Sequence, residues 1–376
     1  MRHLVYGAAL AAASATSAAA LGLDRSGQDI TAIFEPGGYV ELSYGFTMPS
    51  LSGEDVLGNP IDNVGVDFGQ AALSFKMDLG TALSFGVVVD EPYGANVEYG
   101  GDPATTMLGG TMADLATRSV TALGRYRFNE VFSVHAGVRQ LTLDGEVTLA
   151  GLSYGAPVAS GLGLNGYNVQ LENGQGTGWL AGVAYERPDI ALRVALTYHS
   201  AIDAEFDTVE TTPFGPLAST TTVTAPEAWN LDFQTGIAAD TLLFGSVRYA
   251  MYSQTILSPD FFAGATGGAS ITDIADGTAY SLGVGRRFTD SFSGTVAVSY
   301  EAAEDDDLVS PLSPTNGLLG ITVGGRYTMD AVEFTGGVRY TMLGDARPET
   351  GTPDTERASF EGSDALSVGL SVAYRF

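Results

Sequence analysis

The residues of this sequence best suited to bind a charged ligand are basic side chains in stretches where apolar residues alternate with small or polar ones. Five of them lie on the small or polar side of separate stretches: Lys76, Arg139, Arg193, Arg248 and Arg339. A guanidinium in such a position could bind a carboxylate, because its planar fork matches two carboxylate oxygens. The alternative is an internal ion-pair network with carboxylates on the same faces: Asp78, Glu186 and Glu333.

A hydrolytic site is the second possibility. His199 and Ser200 are adjacent, and a histidine can activate a serine as a nucleophile. Adjacent residues of a regular strand point to opposite faces, however, so this pair cannot form the required hydrogen bond. His135 has the inward parity, for which a structural role is the expectation. The sequence therefore predicts no enzyme and no catalytic residues.

Acidic residues crowd the long polar links, at Glu54-Asp55, at 301–307 and at 345–364. We expect these carboxylates to be solvated. Carboxylate clusters can also bind Ca²⁺, but no link has the regular ligand spacing of a dedicated site. No metal site and no cofactor are predicted.

The elements that carry these residues are strands. From Leu366 to Phe376 apolar residues alternate strictly with small or polar ones, so one strand face meets an apolar medium. The second face is too polar for a packed core. Fourteen such candidates lie near 38–48, 66–79, 81–99, 115–128, 131–149, 177–187, 189–210, 221–239, 241–255, 277–288, 291–303, 315–329, 331–343 and 362–376.

Composition agrees with an all-β chain outside the cytoplasm. The 376 residues include 49 glycines, no cysteine and one lysine, and the formal charge of −27 argues against a nucleic-acid partner. Residues 1–20 have the pattern of a signal peptide: Arg2-His3, an apolar stretch, and small residues ending at Ala20. No later apolar run reaches 18 residues, so a membrane-spanning chain would have to be a β-barrel.

The connections between strands alternate in length. Tight turns, such as Asn129-Glu130 and Thr289-Asp290, alternate with long links at 150–176, 255–276 and 343–361. Outer-membrane barrels have this alternation, with short periplasmic turns and long external loops. The sequence therefore predicts a transmembrane antiparallel β-barrel over 38–376, preceded by an arm or plug over 21–37. A soluble propeller or tandem sandwich would show no such alternation.

Several segments are similar to the long-chain fatty-acid outer-membrane transport family (FadL/TodX type). Leu83 to Gly86, continuing to Glu91-Pro92-Tyr93-Gly94, resembles that family's third strand with its Pro-aromatic-Gly element. Further similar segments are 182–188, 196–202, 225–229 and 281–285. The resemblance implies a fourteen-stranded barrel that passes hydrophobic molecules sideways through a gap in its wall.

The gap would lie at Pro92 and Gly94, because proline lacks an N–H and glycine permits a bulge. The alternative is that Pro92 lies beyond the strand end, at the external rim. The segment before the first strand is shorter than the family's plug, and its apolar residues could tuck into the bore: Leu21, Leu23, Ile30, Ile33 and Phe34.

The predicted function is passive uptake of hydrophobic compounds, above all long-chain fatty acids, across the bacterial outer membrane. The predicted substrate-binding residues are Phe34, Pro92, Tyr93, Gly94, Arg139, Arg193, Arg248 and Arg339. The expected partners besides the ligand are outer-membrane lipids, lipopolysaccharide and, through Phe376, the barrel-assembly machinery. The alternative is a general diffusion porin, although large channels usually have 16–18 strands.

Overall fold

The computed structural model describes residues 23–304, 307–351 and 353–376. The predicted signal peptide and Leu21 lie outside the described residues. The main element is one large antiparallel sheet. Its strands, with split strands given as two segments, are β1 Tyr39–Ser50, β2 Phe68–Asp78, β3 Leu83–Asp90 and Gly94–Glu98, β4 Met112–Arg127, β5 Phe132–Leu149, β6 Tyr167–Arg187, β7 Leu192–His199 and Ile202–Thr212, β8 Gly215–Ala225 and Ala228–Ala238, β9 Thr241–Ala250, β10 Gly277–Arg287, β11 Phe292–Glu301, β12 Leu318–Met329, β13 Val332–Leu343 and β14 Asp364–Arg375.

The sheet closes on itself, which confirms the predicted barrel of fourteen strands. β1 pairs with β2 on one side and with β14 on the other, where the register runs from Tyr39↔Arg375 to Ser50↔Asp364. Closure pairs the first strand with the last, as a sheet in lipid requires because nothing there can hydrogen-bond an unpaired backbone group.

The part of the barrel nearest the tight turns follows the predicted alternation. On β14, Leu366, Val368 and Leu370 are exposed on the outside, whereas Ser367 and Ser371 are buried inside. Exposed aromatic side chains form two rows, one beside the turns and one further up: Tyr126, Phe128, Phe288, Phe292 and Tyr327, then Tyr44, Trp179, Trp229, Tyr280, Tyr300 and Tyr340. Aromatic girdles on both borders of an apolar band are typical of outer-membrane barrels.

The external part contradicts the prediction that the inner face is too polar for a packed core. There β5, β6 and β7 extend beyond the apolar band, and inward side chains such as Leu141 and Phe206 are apolar and buried. Their outward neighbours, such as Thr142 and Asp207, are polar and exposed. The pattern inverts because the outer face meets water at this height, while apolar side chains fill the interior.

Strand boundaries differ from the prediction mainly in this external part. β6 begins at Tyr167 rather than at 177, and β8 begins at Gly215 rather than at 221. The predicted link 150–176 is therefore shorter, and the link after β9 contains one helix, α1 Asp260–Thr266. No helix of the described residues is long and apolar enough to cross a membrane.

Two carboxylates predicted to be solvated are buried instead. Glu301 is the last residue of β11 and faces the interior. Asp55 accepts hydrogen bonds from the backbone N–H groups of Leu57, Asn59 and Met107 at 2.9, 2.9 and 3.0 Å, so it holds two external links together.

Candidate functional site

A break in β3 interrupts the barrel wall. The β3–β4 ladder stops at Asp90 and resumes at Gly94, and the three β3 residues between them face two residues of β4. One extra residue in one strand is a β-bulge, and Pro92 within it has no N–H to donate. The hydroxyl of Thr117 replaces the missing ladder, because it accepts from the Tyr93 N–H at 2.9 Å and donates to the Tyr93 carbonyl at 2.6 Å. Pro92 thus lies within the wall strand, not beyond its end.

On the side of the break that faces β2 the backbone ladder is also interrupted, and Gln70 Nε2 donates across it to the Glu91 carbonyl at 3.4 Å. β2 pairs with β3 only as far as Leu73↔Val89, and the next contact is the isolated bridge Gly65↔Val97. Between these two contacts, residues 68–72 pair with β1 alone within the described ladders. We call the gap between 68–72 and 91–96 the window.

Outside the barrel, the window opens into a concavity of about 570 Å³. Its lining is polar and includes Asp67, Gln70, Glu91, Asp114, Arg118 and Asp144. The outward apolar residues of β3 and β5 end just below it, at Val89 and Val138. The window therefore lies at the external border of the apolar band, at the height of lipid head groups.

The N-terminal arm, residues 23–37, closes the window from the inside. The Arg25 N–H donates to the Pro92 carbonyl at 2.8 Å, and the Gly94 N–H donates to the Leu23 carbonyl at 2.9 Å. The Arg25 guanidinium lies 3.4 Å from the centroid of the Phe68 ring and donates to Asn96 Oδ1 at 3.1 Å. Arg25 is buried and spans the window from β2 to β3.

Asp24 fixes the arm to the opposite wall. It forms a buried ion pair with Arg248 of β9, whose guanidinium also donates to Asn230 Oδ1 at 2.9 Å and Gln28 Oε1 at 3.3 Å. Gln28 in turn donates to the Tyr93 hydroxyl at 2.7 Å. The arm therefore connects β9 with the break in β3, and losing one partner of a buried ion pair costs about 3–5 kcal/mol.

Two more buried groups, Arg139 and His199, lie at the same level of the lumen as the Asp24–Arg248 ion pair, and we call this level the cationic layer. Arg139 Nε donates to Thr121 Oγ1 at 3.0 Å. His199 is 1% exposed, and neither ring nitrogen has a hydrogen-bond partner among the described residues. A buried imidazole without a partner is uncommon, because leaving such a group unsatisfied costs free energy. It could donate to a ligand that reaches this layer.

An apolar cluster, here called the upper chamber, occupies the lumen on the external side of this layer. Tyr93 and Tyr252 meet edge to face, with ring centroids 6.3 Å apart. The link after β9 covers the chamber with Leu257 and Phe262. Glu210 holds this link in place, because its carboxylate accepts the backbone N–H groups of Phe261 and Phe262 at 2.9 Å each.

Phe34 and Arg193 lie elsewhere, nearer the tight turns. The arm residues Ile33 and Phe34 pack in a second apolar cluster that includes Leu123. The guanidinium carbons of Arg125 and Arg193 lie 4.7 and 4.8 Å from the centroid of the Phe34 ring. Of the predicted ligand-binding residues, these two contact each other and not the upper chamber.

The ion-pair network named as the alternative exists at the tight-turn end, with largely different arginines. Its pairs are Asp78 with Lys76 and Arg127, Glu186 with Arg125, and Glu333 with Arg326 and Arg375. Arg339 donates to Ser299 Oγ at 2.6 Å and lines the same cavity as Arg248. Within the described residues, no group of three or more acidic or histidine side chains is placed to hold a metal ion.

Residues 57–301 match the model of the family described as outer membrane protein transport protein (OMPP1/FadL/TodX). The chain belongs to this family. The match covers more than half of the sequence, including the broken strand β3. As a member of the OMPP1/FadL/TodX family, the protein is a β-barrel transporter of hydrophobic compounds in the bacterial outer membrane.

Solved structures with the FadL/TodX fold are similar over nearly the whole chain. A FadL homologue of Pseudomonas aeruginosa has a TM-score of 0.72 and 14% identity, with 95% of each chain covered. The P. putida toluene transporter TodX has a TM-score of 0.66 and 16% identity, with 92% of each chain covered. At this identity the likeness shows the fold alone. Among curated proteins, none matches the chain significantly.

Sequence reasoning missed Asp24 and Arg25, the arm residues that close the window. Both lie in a short polar stretch, 24–29, with no motif. The only signal was their position between an apolar residue, Leu23, and the predicted arm residues Ile30 and Ile33. Burial of charged arm residues could have been inferred only from the barrel register that places Arg248 and Asn96 opposite them.

Proposed function

We propose that this chain takes up long-chain fatty acids by passive diffusion through the lumen and out through the window. The observation that carries the proposal is how the lumen is arranged along the barrel axis. The apolar upper chamber lies on the external side of the cationic layer, which contains Arg139, His199 and Arg248. The chamber is packed in the resting protein, so an alkyl chain enters as its side chains move apart, and each CH₂ that is then buried contributes about 0.8 kcal/mol. A carboxylate suits the layer below it.

The resting protein already supplies a carboxylate to Arg248, namely Asp24. A ligand carboxylate that takes its place removes the cost of leaving Arg248 unpaired, and the arm is then free to move. Because Asp24 and Arg25 are adjacent in the chain, the same movement withdraws Arg25 from the window. Head-group binding and window opening are thereby coupled.

Exit at the window suits an amphipathic molecule. The window lies at the upper border of the apolar band, so a fatty acid that leaves there can place its tail in the membrane and its carboxylate at the head groups. The lining of the outer concavity is polar, but its four carboxylates outnumber Arg25 and Arg118, so the support comes from its polarity and not from its net charge.

A neutral aromatic hydrocarbon is the alternative cargo, since solved structures of similar fold include toluene transporters. The chamber contains aromatic residues that suit it, among them Tyr167 and Phe206. Toluene, however, has no group for the cationic layer and no means of replacing Asp24. A diffusion porin is not favoured, because the arm and the packed chamber fill much of the bore.

The test is uptake of radiolabelled oleate and of toluene by cells that lack their own transporter. We expect the chain to take up oleate, and Arg248→Gln to slow oleate uptake at least tenfold. Arg193→Gln is the matched control, because Arg193 is also buried and inward but lies by Phe34. Uptake of toluene without oleate would overturn the fatty-acid assignment.

The remaining assignments are proposals on the same basis. Residues 1–20 would be removed on export, 21–37 would act as a short plug, and 38–376 would form the transmembrane domain. Phe376 is 62% exposed and stacks on Phe75, where a barrel-assembly factor could reach it. Lipopolysaccharide would surround the external border of the apolar band.

A further inference from the structure

The arm fills only one side of the lumen. Its apolar residues pack on the inner faces of β3 to β7, through Val88, Leu123 and Leu180. The inner faces of β10 to β14, β1 and β2 carry mainly Ser, Thr, Gly and Ala, and several of these side chains keep accessible surface inside the barrel, among them Ser43, Ser74, Ser281 and Ser299. A polar space therefore runs beside the arm.

Two cavities make up this space. The larger, of about 180 Å³, lies between the arm and β8 to β13, and the smaller, of about 70 Å³, lies between the arm and β1 to β3. Ser26, Asp29 and Thr31 of the arm line both, so the cavities are neighbours across these side chains. Because one water needs about 10–15 Å³ of such space, both cavities have room for several water molecules.

Carboxylates outnumber basic residues in the lining of the cavities, although Arg248, which is paired with Asp24, and Arg339 line the larger one. Asp29, Glu41, Asp90 and Asp232 line one or both of them and form no ion pair within the described residues. Asp90 is 4% exposed, and although its Oδ2 accepts from Ser26, its Oδ1 has no partner. No basic residue lines the smaller cavity.

The cavities extend along the barrel axis. The larger one reaches Tyr300, in the upper aromatic row. The smaller one reaches Glu35 and Tyr39, and Tyr39 pairs with Arg375 at the tight-turn end of the barrel. The two cavities thus lie at different heights between these two ends of the barrel, with the side chains of Ser26, Asp29 and Thr31 between them.

We propose that this polar space is a conduit for small monovalent cations such as K⁺ and Na⁺ that carry some of their water with them. Carboxylates without partners in a narrow space of low dielectric attract cations and repel anions. The ions pass with water and are not chelated, since the described carboxylates do not form a metal-binding group. The conduit is too narrow for the sugars and other solutes that a diffusion porin passes.

The test is conductance of the purified full-length barrel in planar lipid bilayers, with the reversal potential measured in a KCl gradient. We expect a small, steady conductance that favours K⁺ over Cl⁻. The double variant Asp90→Asn with Glu41→Gln should lower the K⁺/Cl⁻ permeability ratio several-fold. The matched control is Asp203→Asn with Glu205→Gln, which removes two exposed outward carboxylates of β7.

A second variant tests the space of the conduit independently of its charges. Ser281→Phe should fill the larger cavity and reduce conductance, with folding checked by heat-modifiable migration on gels. Conductance no greater than that of bare lipid, a preference for Cl⁻, or an unchanged permeability ratio in the double variant would each overturn the proposal. Fatty-acid uptake is measured separately, so that either proposal can fail while the other stands.

Discussion

Replacing Arg25 with alanine should open the window, and the size of the effect follows from two contacts. The guanidinium loses its position over the Phe68 ring, which is worth about 0.5–2 kcal/mol. It also loses a hydrogen bond to Asn96 that, for a charged donor, contributes about 1.5–3 kcal/mol. The lower end of the sum is about 2 kcal/mol, which raises the open population on the order of thirtyfold.

The chain has no cysteine, so Ser119→Cys provides a single reporter behind the window. Ser119 is buried on the inner face of β4, opposite Asp90 at the start of the break, so a polar maleimide added outside reaches it only when the window opens. Its labelling rate then measures the open population. We expect Arg25→Ala to raise that rate at least tenfold over the same reporter with Arg25 present.

Arg118→Ala is the matched control. Arg118 lines the outer concavity but makes no hydrogen bond or ion pair with the arm among the described residues. Its labelling rate should equal that of the parent. If Arg25→Ala labels no faster than the Arg118 variant, Arg25 does not close the window and the reasoning is refuted.

Three further predictions follow from the same contacts. Gly94→Val should also speed labelling, because a Cβ there would lie 2.9 Å from Arg25 Nε; an unchanged rate would contradict this contact. Asp24→Asn should destabilise the barrel by about 3–5 kcal/mol in urea titrations by leaving Arg248 buried and unpaired, whereas adding Arg248→Met should recover much of the loss. Asp55→Ala should make the external links sensitive to protease. Burial raises the pKa of Asp55, but the hydrogen bonds to its carboxylate outweigh burial, so the pKa in the folded protein is lowered. The stability that Asp55 gives to the external links is therefore present above the usual aspartate pKa and is lost as the pH falls through the lower folded value. Proteolysis at stepped pH would measure this loss.

The strands within the apolar band could be predicted from the sequence because lipid imposes a strict alternation. Outside that band the rule no longer holds. The first part of β6, beginning at Tyr167, has polar outward residues such as Gln170 and Glu172, so the alternation typical of a lipid-facing strand predicts a link there. Its inward residues, including Val169, are apolar and buried like those of a soluble core.

The site could be predicted only in part. Parity placed Arg139, Arg193, Arg248 and Arg339 on the inner face, where all four are buried. Alternation along a strand tells which face a side chain is on, but not its height along the barrel axis. Height decides that Arg248 contacts Asp24 whereas Arg193 contacts Phe34. Partner choice depends on register and on the path of the arm, which local sequence does not encode.

The most direct test of the account is to lock the arm onto β3. Asp24 and Tyr93 form an antiparallel bridge, and the Cβ atoms of facing residues lie about 4.5–5.5 Å apart, close enough for a disulfide after a small adjustment. The variant with Asp24→Cys and Tyr93→Cys would be assayed for uptake of radiolabelled long-chain fatty acid, oxidised and then reduced. The reduced form of the same protein is the control.

The account predicts that the oxidised form stops uptake and that reductant restores it, because the window opens only when the arm leaves it. Equal uptake by the oxidised and reduced forms, with the disulfide verified by mass spectrometry, would contradict passage through the window.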